Sequence, residues 1–243
     1  MIARIAAAAF PLALGTLAVG GLAVLTAWLR LVPPIAGFMA FTLAFLGGGV
    51  ASLLLGVVSI FAAAGAGHES RAGGVAAAAI GLGCLVLLGV LASSARGAPA
   101  IHDVSTDTAD PPDFAVATQH PANRDRDMSY PHGTRETPRL QQQAYADLRP
   151  IELTRGADDA FRAALEVAED LGWTVVGRDA TARTFEAEAE TPVFRFVDDI
   201  AVRVRRHADG AIVDVRSTSR VGVGDMGVNA NRIRRFRDAL VSR

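Results

Sequence analysis

Over the first hundred residues apolar positions run almost without a break; beyond them they alternate or recur. Three apolar stretches stand out: Ile5–Leu29, Ile35–Ala66 and Gly73–Ala95. Each exceeds the ~20 residues that cross a bilayer core, giving crossings at about 5–29, 37–64 and 73–95. They should be helices, because only a helix satisfies its own backbone polar groups in hydrocarbon. A cleaved export signal competes for the first stretch, but its apolar run is too long and no A-x-A site follows. Small residues recur every fourth position at Gly48, Ser52, Gly56 and at Gly73, Ala77, Gly81. Such stripes let helix backbones approach, and the short connections favour packing among the three helices over dimerisation.

After Gly97 the pattern changes. Residues 97–150 are rich in Pro, Asp, Arg, Gln and Thr without apolar periodicity, and read as a polar, mostly extended linker. From Ile151 to Arg243 the chain reads as a soluble domain. Phe161, Ala164, Leu165, Ala168 and Leu171 recur at helical spacing, with Gly172 placed to end the helix in a left-handed conformation. Trp173–Gly177 reads as a strand, and Thr184–Glu190, Ile200–Arg206 and Ala211–Ser217 alternate apolar with charged residues. A last helix over about Val228–Val241 carries Ile233, Phe236 and Leu240 on one stripe. The expected fold is α+β: three transmembrane helices, then a small antiparallel sheet with two helices on one face. The other face, with Glu186, Glu188, Glu190, Arg203, Arg205, Asp214 and Arg216, should meet water.

Charge sharpens the division. Residues 1–96 carry only Arg4, Arg30, Glu69, Arg71 and Arg96, so no ionisable group sits mid-span to serve an ion or proton path. All 24 basic residues are arginine and the net charge is −1, unlike a general nucleic-acid binder. Arg4, Arg71 and the terminal amine narrowly outweigh Arg30 and Arg96, which favours an N-terminus inside and a C-terminal domain outside the cytoplasm. The expected location is a bacterial inner membrane with a periplasmic domain. The single Cys84 allows no disulfide framework.

Candidate chemistry centres on Gly222, Gly224 and Gly227, a G-x-G-x-x-G between the last strand and the last helix. A dinucleotide site needs a second strand and an acid about twenty residues on; the sequence ends sixteen residues after Gly227. An anion at the helix N-terminus is the alternative, with Arg216, Arg220 and Arg232 adding charge. The simplest reading is a tight connection capped by Asp225 or Asn229. Asp198 and Asp199 are adjacent, so on a regular strand they point to opposite faces. His102, His120 and His132 lack metal-ligand spacing, and neither metal nor cofactor is expected.

Longer runs are informative. "TPVFRFVDDIAVRVR" (Thr191–Arg205) and "VDVRSTSRVGVGDMGVNANRIRRF" (Val213–Phe236) resemble the signature of domain-of-unknown-function family 1499. "DVSTDTADPPDF" (Asp103–Phe114) is similar to its leading motif and "YADLRPIEL" (Tyr145–Leu153) to its middle one. The resemblance implies that residues 103–114 are ordered within the domain and carries over no catalytic residue. The expected role is a binding or interaction module held at the envelope. The membrane, another envelope protein and an anionic lipid headgroup are the partners considered, and nucleic acid is not among them. The alternative is an enzyme acting on an anionic substrate through Asp198, Asp199, Arg216, Arg220 and Asp225. Carboxylates and arginines converging in a deep cleft would favour the enzyme; a flat charged face would favour the module.

Overall fold

The computed structural model describes residues 2–62, 68–131 and 136–243. The chain forms two units, Met1–Ser94 with Pro192–Arg195, and Ala95–Thr191 with Phe196–Arg243. The first contains α1 (Ile2–Trp28), α2 (Pro34–Leu43), a π-helical turn (Ala44–Gly48), α3 (Gly49–Ala62) and α4 (His68–Ser94). Ala7–Trp28, Pro34–Ala62 and Arg71–Ser93 are each long and apolar enough to cross a membrane. Pro34 opens α2, where its missing N–H costs no helical bond. Residues 63–66, the expected tail of the second stretch, lie outside the described residues.

The small-residue stripes bring α3 and α4 into backbone contact. A Cβ on Gly56 would lie 2.5 Å from the Ala78 nitrogen, and one on Gly81 2.5 Å from the Gly49 oxygen. Ser52 and Ala77 on the same stripes are fully buried. Large side chains go the other way: Leu43, Leu54, Phe61 and Val90 are more than half exposed. That distribution suits a hydrocarbon solvent, where small residues gain contact inside and leucine loses nothing outside. Thr16, Thr26 and Thr42 return their hydroxyls to the carbonyls of Leu12, Leu22 and Phe38, so none stands as an unpaired polar group.

The second unit is built on a six-stranded antiparallel sheet. Its strands are β1 (Asp103–Ser105), β2 (Ile151–Leu153), β3 (Thr174–Asp179), β4 (Thr184–Glu190), β5 (Val197–His207) and β6 (Gly210–Ser219). The order is β1-β6-β5-β4-β3, with β2 also paired to β6. Helices α6 (Ala157–Asp170) and α7 (Val228–Val241) cover one face; α5 (Thr137–Ala144) is short. Beneath the two long helices Phe185, Ile200, Val202, Val204, Val213 and Val215 meet Phe161, Val167, Ile233 and Phe236 in one core. Trp173 stacks on Phe236, centroids 5.0 Å apart. Gly172 ends α6 at φ +76, and the N–H groups of Gly172 and Trp173 return to the carbonyls of Glu169 and Ala168. This nested pair is the Schellman closure that a glycine there permits.

The linker expectation for 97–150 needs correction. Asp103–Ser105 pairs with Arg216–Thr218 as β1, two 3-10 turns follow at Ala117–Gln119 and Pro121–Asn123, and α5 precedes Ile151. Gln141 completes the outer side of β1: its side-chain amide accepts from Ser105 N–H at 3.0 Å and donates to Ser105 C=O at 2.6 Å, as a further strand would. The polar composition that resembles a solvated tether instead supplies partners for a charged sheet face. His132 lies outside the described residues.

Candidate functional site

Alternation along β4, β5 and β6 puts Glu186, Glu188, Asp199, Arg203, Arg205, Asp214 and Arg216 on the face away from the helices. The water-exposed face expected there is corrected in part: Glu186, Asp214 and Arg216 are buried, as is Asp199 beside them, whereas Glu190 is exposed and Glu188, Arg203 and Arg205 are partly so. Residues 103–130 lie over them. Arg216 makes a bidentate pair with Asp103, at 3.0 Å from Nε and 2.7 Å from Nη2, and also donates to the carbonyls of Met128 and Ser129 at 3.0 and 3.1 Å. Phe114 and Tyr130 flank its guanidinium, with centroids 4.8 and 5.3 Å from Cζ. Room for Phe114 comes from Ala201, which is Arg216's cross-strand partner and packs with Phe114 and Ala117. Burial, then the negative charge of Asp103, pushes the Tyr130 phenol well above its ordinary range.

Three further groups close the face. Asp199 accepts from Arg220 at 2.6 Å, Asn123 at 2.9 Å and Arg126 at 3.2 Å, while Arg220 also binds Glu188. Burial pulls the Arg126 guanidinium below its usual range, against the opposing pull of Asp199. Arg220 is drawn down by burial too, but its hydrogen bonds to Asp199 and Glu188 outweigh that and carry it up. Asp214 is held by Arg203 at 3.1 Å and Arg205 at 2.7 Å. Glu186 takes no cation among these contacts. Its carboxylate accepts three backbone N–H groups, from Ala115, Val116 and Ala117, at 2.7–2.8 Å.

On the helix side Asp198 pairs with Arg232 at 2.5 Å; burial raises its pKa despite that arginine. Asn229 joins the same region from inside α7. It accepts from Ser217 at 2.6 Å and donates to the His102 carbonyl at 3.0 Å and the Ser219 hydroxyl at 2.9 Å. Its side chain therefore bridges sheet and helix rather than capping the helix. The cap comes from Asp225, whose carboxylate accepts from Gly227 N–H at 2.8 Å and Asn229 N–H at 2.6 Å. Gly222 and Gly227 adopt φ +104 and +81, where a Cβ would be strained; Gly224 lies against Ala100.

The anion candidates are thus distributed, not gathered. Arg216 and Arg220 lie on the loop-covered face and Arg232 on the helix face, each facing a carboxylate of the chain. The Asp198 and Asp199 side chains also part to opposite faces. The arrangement is neither the deep convergent cleft that would favour an enzyme nor a flat exposed charged face. Asp103, Asn123 and Arg126 are polar-face residues that sequence reasoning did not single out. Asp103 opens the quoted leading motif; Asn123 and Arg126 carry no local signal. One open concave surface among the described residues lies beside the end strand β3. It is a shallow cleft of about 380 Å³ lined by Val116, Gly177, Arg178, Asp179, Phe185 and Arg203 among others. Gly177 matters to its floor, because a Cβ there would fall 2.5 Å from Val116 Cγ2.

The chain thus combines three helices long and apolar enough to cross a membrane with an α+β unit whose polar sheet face is largely covered. The chain belongs to the DUF1499 family of proteins of unknown function, whose model matches residues 103–240. The match begins at β1, so the segment over the charged face is part of the family domain. No curated protein matches the chain.

Proposed function

We propose that the second unit is a binding module held at an envelope membrane, and that a protein partner docks in the cleft beside β3. The observation that supports this is the contrast between closed and open surface. Buried Arg216, Asp199 and Asp214 are paired within the polar layer, whereas the cleft, which borders that layer at Glu186 and Arg203, presents Arg178 and Asp179 beside apolar Val116 at the edge of the sheet. Concave surfaces with a few polar groups on apolar walls are the usual seats of ligands. The slight arginine excess on the N-terminal side supports a periplasmic orientation in a bacterial inner membrane.

One cysteine tests both parts. Arg178→Cys in a Cys84→Ser background should react with a membrane-impermeant maleimide in intact spheroplasts. A crosslinker on that cysteine should give one adduct of defined mass, lost when Val116→Asp alters the cleft. Labelling only after lysis would overturn the orientation. Absence of a discrete adduct, or its persistence in Val116→Asp, would overturn the docking site.

A further inference from the structure

The loop joining β6 to α7 keeps its apolar side chains outside. Val221, Val223 and Met226 are exposed, Val223 at 81%, although the backbone carrying them is pinned. Asp225 N–H donates to the Ile101 carbonyl at 3.2 Å, Arg220 N–H to the Val197 carbonyl at 3.1 Å, and Asp225 closes the turn onto α7. A Cβ on Gly224 would sit 3.2 Å from Ala100 Cα. The loop is therefore fastened to Ala100–Ile101.

That attachment has a consequence set by covalent connectivity alone. Ala100 follows Ser94, the last residue of α4, by six positions. Six residues span at most about 20 Å, for any orientation of the second unit. The base of the loop thus stays within that reach of the end of α4, close enough to meet the headgroup layer of a bilayer that α4 crosses. Residues 95–101 include no acid and expose Arg96, a charge suited to that layer. The loop's one acid, Asp225, is turned onto backbone donors. Apolar side chains lodged at the headgroup boundary hold many proteins on membranes.

We propose that Val221, Val223 and Met226 insert into the interface of the bilayer that holds α4, so that the second unit touches lipid through this loop. The proposal rests on reading the three apolar helices as membrane spans and is independent of the cleft.

The test uses the full chain in lipid vesicles. Val223→Cys and, separately, Asp209→Cys in the turn at the other end of β6 are made in a Cys84→Ser background and labelled with an environment-sensitive fluorophore. In phosphatidylcholine the probe at 223 should emit to the blue of the probe at 209. It alone should be quenched by lipid carrying a nitroxide near the headgroup, with or without added anionic lipid. Val221→Cys should behave as Val223→Cys does, and Met226→Asp should weaken the quenching at 223. An unquenched probe at 223 overturns the proposal; a blue shift without quenching does so by placing the loop against protein. Quenching that requires anionic lipid overturns apolar insertion in favour of charge attraction.

Discussion

The two faces of one sheet are buried by different means. On the helix side Ile200, Val202 and Val204 alternate with Asp199, Arg203 and Arg205 on the other side of the same strand. The first set lies under α6 and α7 in a continuous apolar core. Of the second, Asp199 and Arg203 lie under a segment with little regular structure, fastened by arginine, carboxylate and backbone N–H, while Arg205 stays partly exposed. Apolar contact is non-directional and scales with area, so the helix side tolerates small changes of shape. Buried charge is directional, and each member of a pair depends on the other to offset its lost hydration. The two faces should therefore fail differently when one side chain is removed.

The largest effect is expected at Arg216. Arg216→Met leaves Asp103 charged, buried and unpaired, which costs about 3–5 kcal/mol. Hydrogen exchange at the β6 amides of the full chain should report it as faster local opening. Pairing it with Asp103→Leu removes the orphaned charge and should slow that opening about tenfold or more, the equivalent of about 1.4 kcal/mol. Recovery stays incomplete because the carbonyls of Met128 and Ser129 lose their donor. A double variant no better than the single one would mean that these carbonyl contacts, not the charge pair, secure the segment.

The matched change on the helix side is Ile200→Val. Ile200 is fully buried, and losing one methylene from such a site costs about 1 kcal/mol. The same β6 amides should show a small, uniform acceleration, since no partner is left unsatisfied. An effect as large as that of Arg216→Met would erase the distinction between the faces.

The sequence shows the helix face more plainly than the polar one, for a physical reason. Period-two alternation marks β4, β5 and β6 because one side of each strand is apolar. Apolar spacing and glycine likewise mark α7 and the end of α6. Strand β1 has only three residues and no alternation, and its partner lies more than a hundred positions away. The cover on the polar face was harder still. Solvation and burial against opposite charge select the same residue types, so Glu186 and Arg216 look alike in either setting. The three N–H groups that hold Glu186 belong to the backbone of Ala115, Val116 and Ala117, and no side-chain pattern announces them. Asn229 misled for a related reason. Its position suits a cap, but burial beneath the sheet turns its amide toward Ser217 and Ser219.

The smallest expected effect comes from an ion pair outside both buried faces. Asp147 is about half exposed, at 46%, and meets Arg234 bidentately at 2.7 Å on both oxygens, with Arg237 at 3.5 Å. The hydrogen bond from Arg234 is the main reason that its pKa falls from 3.8 to about 2, against an opposing push from burial. A depressed carboxylate binds its proton more readily in the unfolded chain, so its contribution is full above about pH 4 and fades as pH falls towards 2. Solvent screening keeps that contribution below about 1 kcal/mol, well under the cost at Arg216. Melting temperatures of the parent and Asp147→Asn in detergent should therefore differ slightly at about pH 5 and converge as the pH is lowered through about 3. A gap that stays constant over that range would assign the difference to packing or neutral hydrogen bonding. Charge pairing would then matter to this unit only where water is excluded.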